Sequence, residues 1–210
     1  MAAADCLELV VVRHGLTAWN QERRYQGQRD IPLLLPEALG DMARLRDHLA
    51  GEPFDAVHCS DLTRCRQTLA HVFDADERQT RLDPRLRELD FGDYEGRCYA
   101  ELKDQPAYRA WIDSRGEQAP PGGESAAALR ARLEAWLTEL LATALREGHR
   151  RVLTVTHGGV IRELRRRLEA IDFWAGSVGQ AQGRRFVFTH QGGWQCSSSS
   201  AVPAPASATP

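Results

Sequence analysis

The chain has 210 residues, enough to bury a sizeable core within one domain. Its composition, 42% hydrophobic and 27% charged with a net charge of -2, is that of a globular domain and argues against bulk nucleic-acid binding or a polybasic membrane surface. Five scattered cysteines with no CxxC pair argue against a disulfide framework or a zinc site; with no basic leader or long apolar segment, the cytoplasm is the default compartment.

In chain order, Leu7–Val12 reads as a buried strand that runs into Arg13, His14 and Gly15. From Pro36 to Leu49 the apolar residues Leu39, Met42, Leu45 and Leu49 recur at helical spacing, with Pro36 placed at the helix start. "FDAVHCS" reads as a second strand ending at Ser60, and Asp61–Phe73 as the helix after it. Gln105–Ser114 is a short helix and "APPGGES" a loop; Ser125 caps a long helix that runs to about Arg146 and that Gly148 ends. "RRVLTVTHGG" repeats the opening theme of strand, histidine and glycine, with a helix over Gly159–Leu168 behind it. "RRFVFTH" and "GWQCS" predict a closing hairpin turned at Gly192 and Gly193. Residues 197–210, rich in Ser, Ala and Pro, read as a disordered tail, leaving 1–196 as a single domain. Strands alternating with helices predict a mostly parallel sheet with helices on both faces, whose ligands bind outside the carboxyl ends of the strands.

Three strand ends satisfy that rule: Arg13-His14-Gly15, Ser60-Asp61 with Arg64 behind it, and His157-Gly158-Gly159. Glycine admits an anion close to the backbone, arginine holds phosphate through two parallel hydrogen bonds, and the helix carrying Arg64 offers its N-terminus to an anion. Two histidines and two arginines converging on one point repel one another unless an anion joins them, which points to a phosphoryl group. The same positive surroundings favour neutral imidazoles, and a neutral histidine can attack phosphorus. The departing alkoxide needs a proton from a carboxylic acid. "RLRELDFGDYEG" offers Glu88, Asp90, Asp93 and Glu95, and the residues alone do not choose among them. Arg162, Arg165, Arg166 and Arg167 read as a solvated helix face, Trp136 as core packing, and His58 as a residue with no partner pattern. Tyr94, Tyr99, Tyr108 and Trp111 fall in the segment expected to cover the site, as packing or as the wall of a leaving-group pocket.

Taken together, "VRHGLTAWN", "YQG", "SDLTRCRQT", "LRELDFGDYEG", "PPGGES" and "VTHGGVIREL" resemble the histidine phosphatase superfamily, in the branch of cofactor-dependent phosphoglycerate mutases and their small phosphatase relatives. The resemblance spans Val10 to Leu168 and implies a three-layer α/β/α sandwich with a mostly parallel central sheet. It puts the nucleophile on His14, the acid/base glutamate on Glu88, and the phosphate pocket on Arg13, Arg64 and His157. Asn20, Gln26, Gly27 and Gly158 become further phosphate or substrate contacts. It implies a small-molecule phosphate ester as substrate, no cofactor and no metal, no nucleic-acid or membrane partner, and it admits a homodimer. "IPLLLPEALGD" departs from the family pattern at the entry to the first long helix, and the chain from "AIDFWAGSVGQAQG" onward matches it loosely.

The leading expectation is a metal-independent phosphomonoesterase working through a phosphohistidine. The short chain with its "GGES" loop resembles the α-ribazole phosphatases; sugar phosphates, phosphoglycerate and nucleotide-derived monoesters are compatible as well. A phosphomutase with the same catalytic set is the alternative, although mutases of this family tend to be longer around the pocket. In "HCSDLTRCR" four residues separate Cys59 from Arg64 and six separate it from Arg66, so the five-residue spacing of a cysteine phosphatase loop is not met. A phospho-ligand module on a decayed phosphatase fold would have lost His14 or Glu88, and both are present.

Overall fold

Leu7, Leu9 and Val11 are buried in one core cluster, and Val10 and Val12 in another. The first strand therefore alternates between two apolar layers, as a central strand covered on both faces must. The computed structural model describes residues 6–74 and 80–203, except the side chains of 173 and 174. The chain runs β1 (Cys6–Arg13), α1 (Ala18–Gln21), α2 (Leu39–Leu49), β2 (Ala56–Cys59), α3 (Thr63–Val72), β3 (Thr80–Leu82), α4 (Tyr99–Leu102), α5 (Pro106–Asp113), α6 (Ala126–Glu147), β4 (Arg151–Thr156), α7 (Gly158–Glu169), β5 (Gly183–His190) and β6 (Trp194–Val202). Single 3-10 turns lie at Pro84–Leu86, Gly92–Tyr94 and Phe173–Gly176.

The sheet order is β3-β2-β4-β1-β5-β6. β3, β2, β4 and β1 are joined by parallel pairings, while β5 and β6 add an antiparallel hairpin at one edge. Leu133, Trp136, Leu137 and Leu140 of α6 and Val160, Ile161 and Leu164 of α7 pack on one face. Met42, Leu45 and Leu49 of α2 and Cys65, Leu69 and Val72 of α3 pack on the other. The result is the three-layer α/β/α sandwich with a mostly parallel sheet.

Local signals placed most boundaries. The Ser125 hydroxyl accepts from the Ala128 amide at the start of α6, and Gly148 ends that helix at φ 74°. Two expectations need correction. α2 begins at Leu39, because Pro36 sits in the preceding turn, where its carbonyl accepts from the Leu39 amide. Residues 197–202, expected in the disordered tail, are the second half of β6 and form a ladder with β5. Their backbone groups are paired whatever their side chains, so a serine run is no obstacle to a strand there. The rest of the expected tail, 204–210, lies outside the described residues. No helix among the described residues is long and apolar enough to cross a membrane.

His58 on β2 is 8% exposed and its Nδ1 accepts from the Trp136 indole N–H at 3.2 Å. Burial, aided by Arg81, lowers its pKa from 6.5 to about 4. The unfolded chain accepts a proton that the folded state resists. The stabilising contribution is therefore complete above the ordinary value and is lost as pH falls toward the folded one. Between pH 7.5 and pH 5 this group should cost about 2 kcal/mol of stability. Urea unfolding of wild type and His58→Gln, which keeps an acceptor for Trp136, should show the variant losing that much less on acidification. Equal pH slopes would contradict the assignment.

Candidate active site

Arg13 is registered with Thr156 across β1 and β4, so His14 and His157 leave the sheet side by side, with ring centroids 5.2 Å apart. β2 joins them on the other side of β4: the Ser60 amide donates to Val155, and α3 starts three residues later. A cavity of about 200 Å³ opens over these strand ends. Arg13, His14, Asn20, Gln26, Gly27, Arg64, Glu88 and Gly158 line it.

His14 lies on the cavity floor and is only 3% exposed, rather than facing solvent. Its Nδ1 is 2.7 Å from the Gly15 carbonyl, which can only accept, so Nδ1 carries the proton and Nε2 keeps its lone pair. Burial first, then Arg64 and Arg13, hold the His14 pKa well below the usual histidine value, so the ring is neutral. Gly15 is closely packed: a Cβ would lie 3.0 Å from the Met42 sulfur, which would have to give way.

His157 is fully buried, one layer beneath the cavity. Its Nδ1 lies 3.1 Å from Arg64 Nη2, a pure donor, so Nδ1 accepts and Nε2–H donates to Ser60 Oγ at 2.9 Å. Burial and Arg64 hold this ring neutral as well. Arg64 itself has no exposed surface. Its two terminal nitrogens donate to the carbonyls of Arg29 and Gly27, both at 2.7 Å, and brace the opposite wall. Arg13 donates to the Val178 carbonyl at 2.8 Å, and a Cβ on Gly158 would lie 3.2 Å from its guanidinium. The Nε–H groups of Arg13 and Arg64 are buried with no acceptor. Two buried, charged donors without acceptors are what an anion site looks like before the anion arrives.

Asn20 and Gln26 complete the wall. Thr17 engages both carboxamide oxygens, through its amide at Asn20 and its hydroxyl at Gln26, so the NH2 ends are what these side chains have left for an anion. Gly27 sits at φ 53°, and a Cβ there would lie 1.9 Å from Glu95 Oε1. The four carboxylates of "RELDFGDYEG" separate by position. Asp90 accepts from the Gly92 amide, Asp93 is exposed, and Glu95 clamps the amides of Gln28 and Phe91. Glu88 lines the cavity, with Oε2 accepting from the Gly159 amide and Oε1 from the Leu89 amide, both at 2.9 Å.

Two expectations change here. The N-terminus of α3 is not open to an anion, because Asp30 accepts from the Thr63 amide and hydroxyl there. Arg162 is separate from its neighbours: it lines the cavity, while Arg165, Arg166 and Arg167 pair with Glu169, Glu163 and Glu134. Sequence reasoning also missed Arg24, Tyr25, Phe91, Ser177 and Val178 as lining residues. The "RYQG" stretch held a signal for the first two; Ser177 and Val178 lie where the family pattern fades. Cys59 and Cys65 are buried, and burial raises both thiols, Cys65 to about 12, so neither is a thiolate near neutral pH.

A second cavity of about 150 Å³ adjoins the first and shares Tyr25, Glu88, Phe91, Gly159 and Arg162 with it. Its other walls include Leu89, Trp111, Ile112 and Leu129, with Arg115 and Glu163. Trp111 is 7% exposed and its Nε1–H is buried without an acceptor. Tyr94 and Tyr108 are core residues behind it, and Tyr99 is 55% exposed.

Residues 9–200 match the model of the histidine phosphatase superfamily (branch 1). The chain is 38% identical over 156 residues to the Enterobacter protein named "Probable phosphoglycerate mutase GpmB", covering 72% of this chain and 70% of that one. It is 33% identical over 164 residues to the adenosylcobalamin/alpha-ribazole phosphatase of Salmonella typhimurium, covering 77% and 79%. The solved structure of the alpha-ribazole phosphatase from Shigella flexneri superposes with a TM-score of 0.77 at 27% identity, covering 90% of this chain and 94% of that one.

A Cβ at Gly159 would lie 2.2 Å from Glu88 Oε1. Alanine is the better helix former by up to about 1 kcal/mol. Gly159→Ala is therefore expected to push the Glu88 carboxylate off the helix end while changing stability by less than about 1 kcal/mol, because the atom met is the far end of a flexible side chain. A crystal structure and a thermal melt of the variant check both; an undisplaced carboxylate would contradict this packing.

Proposed function

Because the chain belongs to the histidine phosphatase superfamily, we propose that it hydrolyses a small phosphate monoester through a phosphohistidine on His14. One observation carries the reading: a neutral histidine with a free Nε2 shares a cavity with two buried guanidinium groups whose Nε–H donors have no acceptor. Arg13 and Arg64 hold the phosphoryl oxygens, with Asn20, Gln26 and the backbone at Gly27 and Gly158 as further contacts. His14 Nε2 attacks phosphorus as the ester P–O bond breaks, and the arginines stabilise the charge on the equatorial oxygens. Glu88, as the carboxylic acid, protonates the departing oxygen. As the carboxylate it then takes a proton from the water that attacks the phosphohistidine, releasing phosphate and neutral His14. His157, fixed between Arg64 and Ser60, holds Arg64 in place. The steps as written use neither metal nor cofactor.

For the substrate, we propose an ester of the α-ribazole phosphate type, with an aromatic nucleoside as leaving group. The second cavity supports this. It lies beyond Glu88 and is walled by Phe91, Trp111 and Leu129. The resemblance to named alpha-ribazole phosphatases points the same way.

Hydrolysis of p-nitrophenyl phosphate in excess chelator should persist in wild type and fall by at least about 10³-fold in His14→Ala. A chelator-sensitive rate, or turnover that survives loss of His14, would remove the mechanism. An acid-labile phosphoenzyme should form on wild type alone, and a strict requirement for a bisphosphate primer would turn the reading to a phosphomutase. In kcat/KM, which ends at departure of the leaving group and excludes the later hydrolysis of the phosphohistidine, Glu88→Gln should cost about 10²–10⁴-fold on an alkyl phosphate and much less on p-nitrophenyl phosphate, whose leaving group needs little proton help. Equal losses would take the acid role from Glu88.

A further inference from the structure

Arg132 stands on α6 and lines neither cavity. In contrast to Arg13 and Arg64, every one of its N–H donors is used. Nε and Nη2 donate to the two Glu124 oxygens at 2.8 and 2.9 Å. Nη1 donates to the carbonyls of Arg85 at 2.5 Å and Arg87 at 2.7 Å, and Nη2 to the carbonyl of Glu88 at 3.0 Å. The Leu86 carbonyl, which Arg132 passes over, accepts from Thr156 Oγ1 at 2.7 Å. The carbonyls of residues 85–88 are therefore all held by side chains. This stretch leaves a 3-10 turn at Leu86 and joins no helix or strand that would hold them instead. Glu124 closes the clamp from the far side: its amide donates to the Asp90 carbonyl at 2.9 Å and its Oε2 accepts from the Asp90 amide at 3.4 Å. The ion pair is well shielded, with side-chain exposures of 18% and 16%.

We propose that Arg132, locked by Glu124, is the positioning residue for the acid: it sets where the Glu88 backbone lies and so where its carboxylate meets the leaving group. The proposal rests on Glu88 being the proton donor. The phosphoryl-holding residues have no direct bond to Arg132, so loosening the clamp acts on proton transfer and not on phosphate binding. A fork spanning three carbonyls needs a planar guanidinium; a lysine ammonium keeps the charge but not that geometry.

The experiment compares an alkyl phosphate with p-nitrophenyl phosphate in four proteins: wild type, Arg132→Gln, Arg132→Lys and Glu88→Gln. In both Arg132 variants the single-turnover rate of leaving-group release, which precedes hydrolysis of the phosphohistidine, should fall by about 10- to 100-fold on the alkyl ester, because about an ångström of displacement is enough for such a loss. On p-nitrophenyl phosphate that release rate should change by less than about threefold, because little proton help is needed there, and the substrate concentration that half-saturates it should hold for both esters. Adding Arg132→Gln to Glu88→Gln should cost nothing further on the alkyl ester. Equal losses of the release rate on both esters, a loss through half-saturation alone, full rescue by lysine, or additive losses in the double variant would each overturn the proposal. If Arg132→Gln does not fold, Glu124→Gln unlocks the same guanidinium and must show the same split. A Glu88→Gln variant with no leaving-group dependence would instead overturn the acid role itself, independently of Arg132.

Discussion

Arg13 faces Thr156 across the β1–β4 ladder, and the rest of the site is built out from that pairing. Both strands lie in the interior of the sheet, and β1 buries side chains against helices on both faces. A slip of one residue would turn every apolar side chain to the wrong layer, so the register is strongly held. That rigidity brings two His-Gly steps to adjacent strand ends. It also aims the start of α7 at the cavity, where the Gly159 amide meets Glu88.

The arginines around this frame fall into two kinds. Arg132 has each donor matched, and Arg87 pairs with Asp61 through two nitrogens. Such residues hold loops in place. Arg13 and Arg64 are buried with a donor left over, in a cavity where Glu88 is the one carboxylate among the described lining residues. Burying cations without a matching anion costs several kcal/mol, and the fold meets that cost with main-chain carbonyls at Gly27, Arg29 and Val178. A phosphoryl group would complete the set. Burial first, and the same charge after it, keeps His14 and His157 neutral.

The far side of the site is made differently. Tyr25, Phe91, Tyr94, Tyr108 and Trp111 pack edge to face or tilted against one another, with the Tyr25 and Tyr108 hydroxyls 2.6 Å apart. This aromatic group joins the cover of the cavity to the core under α6. Glu88 stands at the border between the two cavities and lines both. Leu89 and Phe91 of the second cavity's wall lie in the same stretch of chain as Glu88, while Trp111, Ile112 and Leu129 come from α5 and α6.

Strand periodicity, capping residues and the His-Gly steps made β1, β2, β4, the long helices and the histidine and arginine positions legible from the chain alone, because these signals are local. β3 is three residues at an edge with little burial, and the serine half of β6 has no alternation; both owe their pairing to a neighbouring strand. Arg162 looked like its three neighbours until α7 was set against the cavity. Glu88, Asp90, Asp93 and Glu95 are alike in residue type and lie in irregular backbone, so no period assigns them faces; the Arg132 fork, the Gly159 amide and the Gly27 turn do. The sequence by itself determined the layers and the chemistry gathered at the strand ends, through patterns of neighbouring residues. Tertiary structure alone decided which carboxylate enters the cavity and which histidine lies beneath it, because those depend on contacts between residues far apart in the chain.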